Sequence, residues 1–428
     1  MSRRAARLLA VLGLGAVLAV VGPCFAQSGV DRVFGPITVQ GNSRTSTGLI
    51  LRELGIREGD PYDSGVVQRA WDHLEDLGYF AYVDLIEAEP DAAGRVALAI
   101  TVEEEKTLRY YPLIDYDRRF KYRLGVMVEE KNLGGRGERL SLEASWLRVH
   151  GYRATWTRPS FAGRDWLEFG ATAGWEHADF VYRPTKYSRW DSQLRLRAWL
   201  RGRAYVEASG ELSGFRQVAD LREVVPGSPP TVWDEPHGER NRFTPSLTLG
   251  LDNRDLEYYP TRGAWLRLTA RREITDGFDS YGALTADLRR YVPMKHQKVL
   301  ALRAYGRIIS GSRAPIPIED RLWWGGPETI RGYRFASLEG EEGWLLSSEL
   351  RWPLFLMPIS PNGHVIGIGV HGFWDAGDAW YETGHAHAPL MSWGLGAHLN
   401  LSSLNLRFEV ARTREGQNVF QFEDHFNF

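Results

Sequence analysis

The sequence predicts a transmembrane β-barrel of about 16 antiparallel strands behind one small α+β domain. Three observations predict it. Residues 404–410 read Leu-Asn-Leu-Arg-Phe-Glu-Val. In a strand this puts Leu404, Leu406, Phe408 and Val410 on one face and Asn405, Arg407 and Glu409 on the other. The same two-residue period returns through most of the chain from about Leu108 onward. Third, 45 Gly, 16 Trp, 18 Tyr and 18 Phe stand against only 5 Met, which suits many strands, tight turns and aromatic girdles. One alternating strand would fit a soluble sheet over a core. Many of them, apolar outside and charged inside, fit a closed sheet in lipid. A mean hydropathy of −0.34 is compatible, because only alternate residues face lipid.

The first element, residues 1–26, reads as a secretory signal. Arg3, Arg4 and Arg7 precede the apolar run Leu8 to Val21, and Cys24-Phe25-Ala26 ends in a small residue. The run is shorter than the roughly 20 residues of a spanning helix. Pro23 directly before Cys24 argues against a lipoprotein cysteine. Cys24 is the sole cysteine, so no disulfide framework or thiol chemistry is expected after it. The net charge is −2. The signal holds three Arg and no acid, leaving 49 basic against 54 acidic residues, which is no footprint for nucleic acid.

Residues 27–106 follow a different pattern. Val33 to Val39 reads as a strand ended by Gly41-Asn42. Thr45 to Leu54 reads as a helix with Leu49, Ile50 and Leu54 as its apolar stripe. After the loop Gly59-Asp60-Pro61, Ser64 caps a second helix carrying Val67, Ala70, Trp71, Leu74 and Leu77, stopped by Gly78. Strands Tyr82 to Glu87 and Arg95 to Val102 flank the turn at Pro90 to Gly94. The order β-α-α-β-β resembles a POTRA domain, the periplasmic polypeptide-transport module. The matching residues are Gly41-Asn42, Gly59-Asp60-Pro61-Tyr62, Leu77-Gly78-Tyr79-Phe80 with Val83, and Val102 before Glu103-Glu104-Glu105.

Residues 107–428 carry the barrel pattern. Leu140, Leu142, Ala144 and Trp146 oppose Ser141, Glu143 and Ser145, and Leu266, Leu268 and Ala270 oppose Arg267, Thr269 and Arg271. A one-residue slip would turn arginines toward lipid at about 2–4 kcal/mol each near the midplane, so register is strongly specified. An even strand count leaves both barrel ends on the periplasmic side. The terminal Phe426 and Phe428 are the kind of aromatic end that outer-membrane barrels carry. Two stretches lack alternation: Pro-rich Val225 to Asn241, and the long loop 310–343. Long structureless loops are uncommon and often functional.

That loop contains Trp323-Trp324-Gly325-Gly326-Pro327-Glu328-Thr329-Ile330-Arg331-Gly332-Tyr333-Arg334, and a later strand contains Phe373-Trp374-Asp375-Ala376-Gly377. With the hairpin Asp252-Asn253-Arg254-Asp255 and Tyr259-Pro260-Thr261-Arg262-Gly263, these motifs resemble the bacterial surface-antigen superfamily of outer-membrane assembly and translocation barrels (BamA/TamA type). The resemblance implies that the loop tip Arg331-Gly332-Tyr333 folds into the lumen and that Arg331 meets Asp375, with Gly377 in the same strand motif. Glu349 is a second candidate partner. The strand phase agrees. Gly367, Gly369, His371, Phe373 and Asp375 share the inward face of 365–375, and Glu349 faces inward between the outward Trp344, Leu346, Leu350 and Trp352. A bidentate carboxylate contact suits Arg better than Lys.

No G-x-S-x-G, HExxH, P-loop or zinc spacing occurs. His385-Ala386-His387 lacks a third ligand and reads as solvated loop residues. No enzyme activity, cofactor or metal is expected. The resemblance implies insertion of client barrels or polypeptide translocation in the bacterial outer membrane. Its expected partners are unfolded outer-membrane or secreted polypeptides, outer-membrane lipid, and a periplasmic or inner-membrane protein reached through the small domain. Strand addition at the Val39 or Val83 edge would start the process. Sideways opening between the first strand (near Leu108 to Tyr116) and the last (near Val419 to Phe428) would follow, with Asp424 and His425 weakening the last strand. The alternatives are a passive pore and a dedicated two-partner secretion transporter. A single small domain points to an accessory role.

Overall fold

The computed structural model describes residues 32–423, apart from 118–120, 148, 180–184, 201–202, 220–237, 257–258, 277–279, 312–315, 317–319, 359–364, 382–387 and 403. The signal at 1–26, His385 to His387, and Asp424, His425, Phe426 and Phe428 lie outside the described residues.

The small domain contains β1 (Val33–Gln40), α1 (Thr47–Leu54), α2 (Ser64–Asp76), β2 (Phe80–Glu87) and β3 (Arg95–Glu104). Its sheet runs β1-β3-β2, so β1 and β2 are the edges. The helices begin where side chains satisfy their first amides. Ser46 Oγ accepts the Leu49 N–H at 3.2 Å, so α1 starts two residues later than the apolar stripe suggested. Asp63, not Ser64, caps α2 by accepting the Gly65 N–H at 2.9 Å. Phe34, Leu49, Ile50, Leu74, Leu98 and Ile100 form the core, and Tyr79 and Phe80 complete it. Gly59 N–H donates to the Phe34 carbonyl at 2.8 Å.

At the end of β3, Glu104 folds back onto the turn that begins with Gly41 and Asn42. Its carboxylate accepts the backbone N–H groups of Ser43 (3.1 Å) and Arg44 (2.9 Å), and also that of Thr45. Asn42 Nδ2 donates to the Thr45 carbonyl at 2.8 Å. Burial pushes the Glu104 carboxyl up, but the hydrogen bonds from Ser43, Thr45 and Arg44 outweigh it and hold the group down at about 2.

The barrel strands are β4 (Leu108–Asp117), β5 (Lys121–Leu133), β6 (Glu138–Leu147), β7 (Val149–Arg158), β8 (Leu167–Asp179), β9 (Thr185–Trp199), β10 (Ala204–Ala219) and β11 (Gly238–Asp252). They continue with β12 (Gly263–Thr275), β13 (Tyr281–Pro293), β14 (Val299–Ser310), β17 (Glu342–Pro358), β18 (Val365–Trp380), β19 (Leu390–Ser402), β20 (Leu404–Thr413) and β21 (Asn418–Glu423). Between β14 and β17, β15 (Leu322–Trp324) and β16 (Leu338–Gly340) pair as a separate hairpin. The large sheet has 16 strands in sequence order, β14 adjoining β17. The opening alternation holds. Phe408 and Val410 are exposed on the outside, whereas Asn405, Arg407 and Glu409 are buried within. Among the described residues no ladder joins β4 to β21, and β21 pairs with β20 only from Arg407↔Glu423 to Arg412↔Asn418.

Two loop expectations are corrected. Gly238 to Asn241 belong to β11, paired with Gln217 to Gly214 of β10, so the first loop is shorter than 225–241. The rest of that stretch, 225–237, lies outside the described residues. The loop 310–343 is not structureless, because it holds the β15–β16 hairpin and gives its ends to β14 and β17. Strands of three residues are too short to show a period.

The small domain sits on the barrel rim at which β4 begins. The turn after β5 docks on the start of α1. Ser46 N–H donates to the Gly135 carbonyl at 2.9 Å, and Asn132 Nδ2 donates to Thr45 Oγ1 at 2.9 Å. Gly135 has φ +72° and a Cβ there would come within 1.8 Å of the Arg44 carbonyl oxygen. Only glycine meets both demands.

Candidate functional site

The β14–β17 loop starts from the far rim and turns back into the lumen. Its apolar residues Leu322, Trp324, Ile330 and Leu338 pack on Leu345 of β17 and Ala379 of β18. Trp324 Nε1 donates to the Asp378 carbonyl at 3.1 Å. Gly377 leaves room for this packing, since a Cβ would lie 2.8 Å from Ile330 Cδ1. The hydrophobic seat carries the tip, Arg331-Gly332-Tyr333, to the inner wall.

There the guanidinium of Arg331 is fully buried. Nε and Nη2 donate to the two oxygens of Asp375 at 2.7 and 2.8 Å. Nη1 donates to Glu349 at 2.6 Å and lies 3.3 Å from Glu409. The cation also sits 3.7 Å from the centre of the Phe373 ring. This two-pronged, stacked arrangement needs a planar guanidinium. The Arg331 backbone N–H adds a 3.2 Å bond to Asp375. Gly332, at φ +85° and with its Cβ position 2.8 Å from Ala411 Cβ, donates its N–H to Gln421 Oε1 at 2.9 Å. Gln421 in turn donates to Glu409 at 2.8 Å. The tip therefore touches the last described strand, β21. Tyr333 Oη lies 2.7 Å from a Glu415 oxygen and 2.9 Å from the Met391 carbonyl oxygen.

A second layer surrounds these carboxylates. Arg351 donates to Glu349 at 2.8 Å, and Arg407 reaches both Glu349 and Glu409, the latter at 2.7 Å. His371 Nε2 lies 2.9 Å from Glu409, His371 Nδ1 lies 3.1 Å from His398 Nδ1, and His398 Nε2 lies 3.2 Å from Tyr259 Oη. Tyr259 is buried and comes from the opposite direction, the β11–β12 turn on the small-domain rim. That turn is shaped by Asp255, which accepts the N–H groups of Thr261 (2.9 Å) and Arg262 (3.1 Å). Arg351 lies 5.4 Å from the Tyr259 ring. An inward loop from one rim and an inward turn from the other thus meet through Arg351, Glu349 and His398.

Arg331, Arg351 and Arg407 balance Glu349, Asp375 and Glu409. That balance makes burial of six charges tolerable, and removal of one member expensive. Glu349, His371 and Glu409 offer donor atoms within 4.8 Å of one another, the donor set of a cation site. Arg331 and Arg407 already occupy those carboxylates.

The structure brings together Arg331, Gly332, Glu349, Asp375 and Gly377, with Tyr333 beside them. Gly41, Asn42, Gly59, Tyr79 and Phe80 shape the small domain some distance along the chain. Sequence reasoning missed Glu409, Arg407, Arg351, His398 and Gln421. Arg407 and Glu409 stand on the inward face of the 404–410 alternation, and that phase was the available signal.

Comparison with known proteins matches this architecture. The Omp85 superfamily domain matches residues 132–428, and the surface antigen variable number repeat (POTRA) matches residues 33–105. Outer membrane protein assembly factor BamA of Nitratidesulfovibrio vulgaris is 23% identical over 305 residues, covering 69% of this chain and 37% of that protein. BamA of Neisseria meningitidis serogroup B is 24% identical over 384 residues, covering 80% of this chain and 46% of that protein. The chain thus spans less than half the length of these relatives. In fold it is similar to Haemophilus ducreyi BamA lacking POTRA domains 1–3, with TM-score 0.67, 17% identity, and coverage of 93% and 84% of the two chains. CdiB from Acinetobacter baumannii gives TM-score 0.56 at 16% identity, with 91% and 73% covered. With the barrel and the small domain each matched, this chain belongs to the Omp85 superfamily.

Proposed function

We propose that this protein works in a bacterial outer membrane as an accessory factor that inserts client β-barrel proteins or moves polypeptide across that membrane. Residues 27–106 would lie in the periplasm and residues 107–428 in the membrane. The observation that carries the reading is the contact between the Arg331 loop tip and β21 through Gln421, beside the edge where no described ladder closes the barrel. A loop seated this way sets the position of the strand whose release would open the wall. A simple pore has no need of that connection.

The steps are non-covalent and need no nucleotide or cofactor. An extended client pairs with the β1 or β2 edge of the small domain, then with β4 or β21 as the wall parts. Clients are unfolded outer-membrane or secreted polypeptides. The other face of the small domain is available to a periplasmic or inner-membrane protein. Depletion of the protein, followed by quantitation of outer-membrane proteins, tests the reading. Loss of a defined set of barrels supports insertion, and loss of one secreted polypeptide with barrels intact moves the assignment to dedicated secretion. An unchanged outer membrane, together with graded solute conductance in planar bilayers, would leave a passive pore. A disulfide joining β4 to β21 is expected to abolish activity, and full activity of the oxidised protein rules out sideways opening.

A further inference from the structure

The loop that carries Arg331 holds a second charged residue against the lumen wall, of opposite sign and on a different set of strands, separated from the first by β14. Asp320 precedes the β15–β16 hairpin, and its side chain is 9% exposed. Its Oδ2 accepts from Arg242 Nη1 of β11 at 2.6 Å and from the Tyr281 hydroxyl of β13 at 2.7 Å. Arg271 of β12 lies 3.5 Å from Oδ1. Glu273, nearly fully buried, is the other acid in this group, 3.5 Å from Arg271 and 3.9 Å from Arg242. Asp320 and Glu273 set two carboxylates against Arg242 and Arg271, so removing Asp320 leaves this group one carboxylate short. Without Arg331 the group it joins on β17–β20 holds three carboxylates, Glu349, Asp375 and Glu409, against two arginines, Arg351 and Arg407. The loop therefore supplies an acid to a basic wall and a base to an acidic wall, which fixes one seating of the loop.

We propose that Asp320 is a positioning residue that tethers the base of the loop to β11–β13 independently of Arg331. The tip can then leave the β17–β20 wall, releasing β21, while the base stays in place, a swing about a fixed end. The next residue supports a rigid pivot. Arg321 donates to Glu339 of β16 at 2.8 Å and to the Ile316 carbonyl at 3.0 Å, locking the hairpin to the tethered base.

The inference rests on the reading that the loop tip positions β21, but its test needs no client and so separates from the assembly reading. The full chain in lipid nanodiscs is treated with trypsin, and cleavage after Arg321, Arg331 and Arg334 is timed by mass spectrometry. Asp375→Asn is expected to speed cleavage after Arg331 and Arg334 about tenfold or more, leaving Arg321 protected. Asp320→Asn is expected to do the reverse. Arg242→Gln, which removes the partner from the wall instead, should reproduce the Asp320→Asn pattern if Asp320→Asn fails to give the heat-modifiable folded form. Equal acceleration at all three sites in either single variant would make the loop one cooperative unit and overturn the proposal. So would unchanged protection after Arg321 in both Asp320→Asn and Arg242→Gln.

Discussion

Replacing Arg331 with Ala tests the charge balance at the lumen wall directly. The substitution leaves three carboxylates, Asp375, Glu349 and Glu409, against two arginines, Arg351 and Arg407, with all these side chains at 0–1% exposure. Breaking a buried pair by removing one partner costs about 3–5 kcal/mol. At about 1.4 kcal/mol per tenfold, docking of the tip should weaken by roughly two to three and a half orders of magnitude. Arg331→Lys keeps the charge but loses the two-pronged contact, and should fall between. The reporter is hydrogen exchange at the Gly332 amide, which is bonded to Gln421 and not to any mutated group. Arg331→Ala combined with Asp375→Ala restores the balance of two cations and two carboxylates. Its cost should fall short of the summed single costs by about 1–3 kcal/mol. Strict additivity, or an unchanged Gly332 amide in Arg331→Ala, would refute the ion-pair account.

Gln421→Ala removes the acceptor for Gly332 and the donor to Glu409. It should loosen the tip and β21 together by about 1–2 kcal/mol, read as faster exchange in both segments; a change in only one would break the link. Gly135→Ala must displace the Arg44 carbonyl and adopt a left-handed backbone. Undocking of the small domain by about 1–3 kcal/mol follows, seen as exposure of the Ser46 amide with the core of the domain still protected. For Glu104, the folded value of about 2 lies below the ordinary 4.5, so its contribution is complete above pH 4.5 and is lost as pH falls toward 2. Exchange of the Ser43 to Thr45 amides should rise through that window. Glu104→Gln should show the faster exchange at every pH, and a wild-type profile in that variant would dismiss the carboxylate's role.

The alternation made the barrel legible because lipid outside and water inside impose one rule on every strand. The same rule placed Glu349 and Asp375 on the inner face. It could not choose among inward charges. Arg407 and Glu409 are as visible in the sequence as Asp375, but which carboxylate meets Arg331 depends on β17, β18 and β20 coming side by side. Tyr259 was legible as part of a turn but not as a lumen residue, because the direction in which a turn folds is set by tertiary packing rather than local period. Asp320 reads as an ordinary loop acid until β11–β13 supply its donors. In the small domain, the shifted helix starts reflect cap geometry at Ser46 and Asp63, which apolar periodicity does not encode.

The joint between the two domains has a mechanical consequence. Only residues 105–107 separate β3 from β4, a span of about 10 Å at full extension. The described attachments to the neighbouring strand are the turn at Asn132 to Gly137 and the ion pair of Arg44 with Glu130 of β5 at 3.8 Å. The small domain therefore behaves as a crank fixed to the first wall strand. While the turn is engaged, any pull on the domain loads β4 and β5 together. When the turn and the Arg44–Glu130 pair let go, the same pull becomes torque on β4 alone, the strand bordering the edge that no described ladder closes. A force applied in one compartment is thereby delivered to one strand of sixteen, with no flexible linker to dissipate it.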